Sequence, residues 1–219
     1  MRINFKGKKL LDEIVQISAK ENSPVIICVN HSNWWDGVLL NWISNYVLKG
    51  NAYCLMDTVD LSRHRYFNKI GAIPLERKNK FSSFRTLKFC KKILTGKNRY
   101  LWIFPQGEII PNERMPYRFF NGVSYLCENI DKFNLMCVHF EYRFTAEQHP
   151  EIYVNVFRSF ENKDINTISR KDFTEYLEKL FVDESNKFTN RICKNDYSGF
   201  EVILKGRKSI NQRIITRSV

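Results

Sequence analysis

The chain has 219 residues, of which 43% are hydrophobic and 14% aromatic; that length fits one domain with a full-sized core, and that composition excludes intrinsic disorder. Lys and Arg exceed Asp and Glu by a net charge of +12, which implies an anionic partner such as nucleic acid, an anionic membrane or an acidic substrate. No apolar run approaches the roughly 20 residues of a membrane-spanning helix, and residues 1–6 lack the apolar region of a signal peptide, so a lipid-directed protein with this sequence is expected to lie on the bilayer rather than cross it.

In chain order, Leu10, Leu11, Ile14, Val15 and Ile17 recur at near-helical spacing. Lys6, Lys8, Lys9 and Lys20 flank them. The pattern predicts an N-terminal amphipathic helix within residues 1–22, either docked on the core or resting on a membrane. Pro24 closes it, and the β-branched run 25–29 predicts a short buried strand. Val38, Leu39, Trp42, Ile43, Tyr46 and Val47 form a helical stripe over 37–48. Strands are predicted at 52–56 and 72–75. Phe81, Phe84, Leu87 and Leu94 predict a helix ending near Gly96. A central strand follows at 100–104, a helix at 117–129, and strands at 133–142 and 151–157. Ser169 with Asp172 predicts a capping box opening a long helix.

Strands alternating with helices predict an α/β fold. The expectation is a single domain over 1–219 with a mixed, largely parallel sheet flanked by helices and no transmembrane helix. Residues 23–160 form the core and 161–219 the C-terminal helix and basic tail. Cys28, Cys54, Cys90, Cys127, Cys137 and Cys193 include no C-x-x-C pair and read as reduced core residues. His31, His64, His139 and His149 lack metal-ligand spacing, so no metal is expected.

In open α/β sheets, functional residues gather at the carboxyl ends of strands. After the first strong strand comes Asn30-His31-Ser32-Asn33-Trp34-Trp35-Asp36-Gly37. The Asp36 carboxylate can reach one imidazole nitrogen of His31, fixing its tautomer and raising the basicity of the other. After the strand at 72–75 stands Arg77, whose forked guanidinium suits a phosphate or carboxylate. After the strand at 100–104 comes Pro105-Gln106-Gly107-Glu108. Pro105 and Gly107 enforce a tight turn whose amides could hold an oxyanion.

Together these segments resemble the glycerolipid acyltransferase family, with its N-H-x-x-x-x-D, G-x-[IF]-x-[ILV]-x-R and F-P-E-G-T-R motifs. The chain carries Asn30-His31 and Asp36, then Gly71, Ile73, Leu75 and Arg77, then Phe104-Pro105 and Gly107. Phe120-Asn121-Gly122-Val123 also resembles a downstream stretch of the family. The resemblance spans about residues 20–160. It departs at Gln106, where the family has Glu, at Glu108-Ile109 in place of Thr-Arg, and at Val138-His139-Phe140 in place of V-P-V.

The resemblance implies an O-acyltransferase without a covalent acyl-enzyme. His31 would act as general base and Asp36 would orient it. The turn around Pro105 and Gly107 would hold the oxyanion. Arg77, Gln106, Glu108 and Arg114 would meet the acceptor, a lysophospholipid or related lipid. Acyl-CoA or an acyl carrier protein would be the donor and no cofactor is needed. The expected location is peripheral, at the cytoplasmic face of the cell membrane, against an anionic surface. Lys78, Lys80, Arg85, Lys88, Lys91 and Lys92 form one candidate basic patch. The tail from Val202 forms another. Two other readings remain: a non-catalytic lipid- or carrier-binding relative, and a basic nucleic-acid-binding module. The latter has no recognisable motif here, so nucleic acid is not expected.

Overall fold

The computed structural model describes residues 1–144, 148–165 and 167–206. Its strands are β1 (Arg2–Lys6), β2 (Val25–Val29), β3 (Asn51–Asp57), β4 (Ala72–Leu75), β5 (Arg99–Ile103), β6 (Asn134–Arg143), β7 (Glu151–Glu161) and β8 (Glu201–Leu204). They form one sheet in the order β4-β3-β5-β2-β6-β7-β1-β8. The first five in that order run parallel, whereas β6 with β7 and β1 with β8 are antiparallel. The fold is therefore a mixed, largely parallel α/β sheet, as the element pattern predicts.

Helices cover both faces, which is why β2 and β5 are almost continuously apolar. Val25, Ile27 and Val29 of β2 pack on one face with Leu11 and Ile14 of α1 (Lys8–Glu21) and Leu39, Leu40 and Ile43 of α2 (Asp36–Ile43). Ile26 and Cys28 point to the other face. There they join Leu126 and Cys127 of α5 (Gly122–Asn129) and Phe173, Leu177 and Phe181 of α7 (Arg170–Cys193). Between these lie α3 (Thr58–Arg63), α4 (Lys80–Ile93) and α6 (Asn162–Ile165). Ser169 caps α7 by accepting from the Asp172 amide, as the capping box predicts. No described helix is long and apolar enough to cross a membrane.

Three expectations need correction. The N-terminal segment does not begin as helix: residues 2–6 form β1, paired with β7 from Arg2↔Glu151 to Lys6↔Asn155. Long-range pairing of this kind leaves no local signal. The helix predicted from 117 begins at Gly122, because the Phe119 amide donates to Glu178 and the Phe120 amide to the Pro105 carbonyl. Those bonds hold the chain off the helical path. Phe81 and Phe84 of α4 are exposed, while Cys90 and Leu94 fill the core. The basic tail begins as β8 against β1; residues 207–219 lie outside the described residues.

Candidate active site

The carboxyl ends of the five parallel strands share one edge, and His31 sits there directly beyond β2. The Asn30 side chain sets this up. Its Oδ1 accepts from the Phe140 amide at 2.7 Å, and its Nδ2 donates to the Phe140 carbonyl at 2.9 Å. A side-chain amide thereby continues the β2–β6 ladder past Val29, and the main chain is free to turn outward at His31.

The turn closes on Asp36, the first residue of α2. Its Oδ2 lies 2.8 Å from His31 Nδ1 and accepts from the Ser32 and Asn33 amides at 2.8 and 2.9 Å. Its Oδ1 accepts from the Tyr142 hydroxyl at 2.6 Å. Four hydrogen bonds thus compensate a carboxylate with no exposed surface. The five-residue separation is explained here: the intervening loop is long enough to wrap two amides and one imidazole around a single oxygen. Burial, and then the Asp36 charge, push the Tyr142 hydroxyl far above its ordinary pKa, so it stays a donor.

Since Nδ1 faces Asp36, Nε2 is the nitrogen left for chemistry. The imidazole stacks on Phe104 beyond β5, with ring centres 4.1 Å apart, and its side chain keeps 20% of its surface open. Its main chain is clamped by the loop after β5: the His31 amide donates to Gln106 Oε1, and the Ile110 amide donates to the His31 carbonyl. The ring is thus held at Nδ1 by Asp36 and on one face by Phe104, while part of its side chain stays open.

The acceptor-side residues are arranged differently from expectation. Gln106 is buried, and its Oε1 braces the His31 main chain. The Gly107 amide donates to the Phe104 carbonyl at 3.0 Å. It is therefore occupied within the turn and is no free oxyanion donor, since one N–H makes one strong bond. Among the described residues, the Glu108 and Ile109 amides beside it have no such partner. Gly107 does have to be glycine. Its φ is 72°, and a Cβ there would lie 2.8 Å from the Phe120 ring and 3.4 Å from Arg77 Cδ. The turn thus packs against the stem of Arg77, which brings the second and third motifs together.

Arg77 is not free either. Its Nε donates to Asp57 Oδ2 at 3.0 Å, and Asp57 caps α3 through the Val59 amide. Partial burial alone would raise the Asp57 carboxyl, but the Val59 amide and Arg77 outweigh it and lower the pKa. The terminal guanidinium nitrogens of Arg77 have no partner among the described residues. Pro105 is buried, and its carbonyl accepts from Phe120. Glu108 and Arg114 are exposed, and none of the hydrogen bonds around His31 runs through their side chains.

Behind the site lies Asn112, whose importance the sequence did not signal. Its Oδ1 accepts from Asn30 at 2.8 Å, and its Nδ2 donates to the Phe140 carbonyl at 2.9 Å and to Glu141 at 2.7 Å. It ties the loop after β5 to both strands that carry the site. Tyr142 was likewise missed; period-two alternation along β6 would have found it, had the register with β2 been known.

Cys193, expected in the core, is exposed at the end of α7, whereas the other five thiols are poor nucleophiles. Burial pushes Cys54 and Cys90 up to about 12 and raises Cys28, Cys127 and Cys137 well above the usual range. Among the described residues, no three or more His, Cys, Asp or Glu groups cluster as a metal site. No curated protein matches the chain. A model of the acyltransferase family matches residues 2–138, from β1 into β6, and that span contains His31, Asp36, Arg77 and Gly107. With more than half of its length matched, the chain belongs to the acyltransferase family, and it is glycerolipid-acyltransferase-like.

Proposed function

We propose that this protein transfers a fatty acyl group from acyl-CoA or acyl carrier protein to a hydroxyl of a lysophospholipid or related lipid. The observation that carries this reading is the contact between His31 Nδ1 and the buried Asp36 carboxylate, at 2.8 Å, in a ring whose side chain is partly exposed.

In this mechanism, His31 Nε2 takes the proton of the acceptor hydroxyl as its oxygen attacks the thioester carbonyl carbon. Asp36 orients the ring and stabilises the imidazolium. The oxyanion forms near the turn at Gly107, within reach of the Glu108 and Ile109 amides. A donor of this kind contributes about 2.7–4 kcal/mol to acyl transfer. Collapse re-forms the carbonyl and expels the thiolate, which takes the proton back from Nε2. The products are an ester and a free thiol, so His31 ends as it began. The free fork of Arg77 would hold an anionic group of the acceptor. The protein works as a peripheral protein at the cytoplasmic face of the membrane, where the acceptor resides.

The test supplies purified protein with palmitoyl-CoA and a panel of acceptors in mixed micelles. The panel runs from glycerol 3-phosphate and lysophosphatidic acid to glycolipids and long-chain alcohols. Products are read by mass spectrometry. The expected result is one acylated acceptor class, lost in His31→Ala. Turnover by His31→Ala equal to that of the wild type would overturn the mechanism.

A further inference from the structure

Each of the five parallel strands ends in a loop or helix start that exposes a large apolar side chain. Trp35 follows β2, Val59 follows β3, Phe81 follows β4, Phe120 follows β5 and Phe144 follows β6. Exposed apolar residues are ordinary when scattered. Here they recur at every parallel strand end, on the edge that holds His31. Phe120 lies against the Gly107 turn itself.

The outer face of α4, which starts at this edge and runs back along the sheet, has the same character. Phe81 (72% exposed), Phe84 (48%) and Phe89 (50%) stand in solvent. Exposed Lys80, Arg85, Lys88 and Lys92 are interleaved with them, and the helix contains no acid. Arg85 lies over the Phe81 ring at 6.0 Å. Phenyl rings in water are unfavourable, and three on one helix form a patch of the kind that marks an interaction site.

We propose that the carboxyl edge of the sheet, with the outer face of α4, docks on an anionic lipid bilayer. This rests on the lipid reading of the acceptor and names the surface that would present it to His31. Aromatic rings partition into the headgroup boundary while Lys and Arg meet anionic headgroups. An acidic carrier protein would satisfy the basic residues but leave most of the rings in water. A bilayer satisfies both, and the net charge of +12 favours it.

The test sediments the protein with phosphatidylcholine vesicles, with and without phosphatidylglycerol. Wild type is compared with a Phe81→Ser/Phe144→Ser variant and a Lys80→Glu/Arg85→Glu variant. Phe81 and Phe144 are 72% and 78% exposed, so unchanged thermal unfolding is expected and serves as the folding control. The wild type should bind phosphatidylglycerol vesicles. The phenylalanine variant should bind about tenfold less, and the charge variant should lose the preference for phosphatidylglycerol. The proposal is overturned if the wild type ignores vesicles or the phenylalanine variant binds them as well as the wild type does. It is equally overturned if that variant keeps vesicle binding but loses binding to acyl carrier protein or single-stranded DNA. Turnover of a monomeric short-chain acceptor separates the two ideas. Its absence in the wild type would count against acyl transfer and leave the vesicle result standing. Its retention in the phenylalanine variant, with vesicle binding lost, is the expected outcome.

Discussion

Two histidine–carboxylate pairs lie at the same end of the sheet. One is His31 with Asp36, which Tyr142 of β6 reaches from one face. The other is His139 with Glu141, both on β6 and both turned to the opposite face. In the first, Nδ1 is 2.8 Å from the carboxylate, and the imidazole is partly open. In the second, Nε2 is 4.0 Å from the carboxylate, and both side chains are buried. That separation is too long for a hydrogen bond, and His139 Nε2 has no hydrogen-bond partner among the described residues. Burial, and then Arg143, push His139 down to about 3. Burial is also the main cause that raises Glu141 to about 7, against the opposing pull of Arg143 and Asn112. The second pair is therefore a buried brace, in which Glu141 is paired with Arg143 and tied through Asn112 to the loop after β5. Nearness of a carboxylate does not make a histidine a base. What sets His31 apart is a direct hydrogen bond to its carboxylate and a side chain that is partly exposed.

The sharpest way to break this comparison is to disable each pair in turn. Asp36→Asn can keep its oxygen toward His31, Ser32 and Asn33 if the Tyr142 hydroxyl rotates to accept. The charge is then lost with little rearrangement. Turnover in the micelle assay should fall by about 10²–10⁴-fold, with the circular dichroism spectrum retained. His139→Leu should leave turnover within about twofold of the wild type, since the removed imidazole is sealed from any substrate. Equal losses in the two variants would erase the distinction.

The two members of the second pair should differ in how stability depends on pH. Glu141 holds its proton more tightly in the folded state, up to about 7 against an ordinary 4.5. It therefore stabilises fully below 4.5, and that contribution is lost as pH rises through 7. His139 shows the opposite sign. Its folded value of about 3 lies below the ordinary 6.5, so its contribution is full above 6.5 and is lost as pH falls through 3. Thermal unfolding across pH should show Glu141→Gln gaining on the wild type between 4.5 and 7. His139→Leu should gain on it as pH falls below 6.5. Differences that stay flat with pH would show that neither group titrates as described.

The smallest expected effect lies at the acceptor side. Asp57→Asn retains a capping oxygen for α3 but no longer neutralises Arg77. A partly exposed ion pair is worth up to about 1 kcal/mol. The KM for a phosphate-bearing acceptor should therefore fall a few-fold, while that for a neutral acceptor stays constant. A parallel change for both acceptors would show that Asp57 acts on structure rather than on charge.

Much of the framework was legible because its causes are local. The apolar runs of β2 and β5, the Ser169 cap of α7, and the loop from His31 to Asp36 each depend on neighbours a few residues away. The start of α5 was misplaced because Glu178 and Pro105, both distant in sequence, hold residues 119 and 120. The site was legible in its motifs but not in their wiring. Gln106 and Gly107 stood where expected, yet their hydrogen bonds run inward to His31 and Phe104.

The sequence by itself made the meeting of His31 and Asp36 legible, because the loop between them is short enough to close that contact. It also determined an alternating sheet and helix framework, because side-chain periodicity reports which faces are apolar. Only the tertiary structure decided that β1 and β8 join the sheet, that Tyr142 and Asn112 support the site, and that Asp57 shares Arg77. It alone decided which phenylalanines leave the core: α7 buries Phe173, Phe181 and Phe188, while α4 exposes Phe81, Phe84 and Phe89. Hydrophobicity belongs to a side chain and can be read in one dimension. Burial belongs to its neighbours, and these are brought together only when distant strands pair and their helices pack.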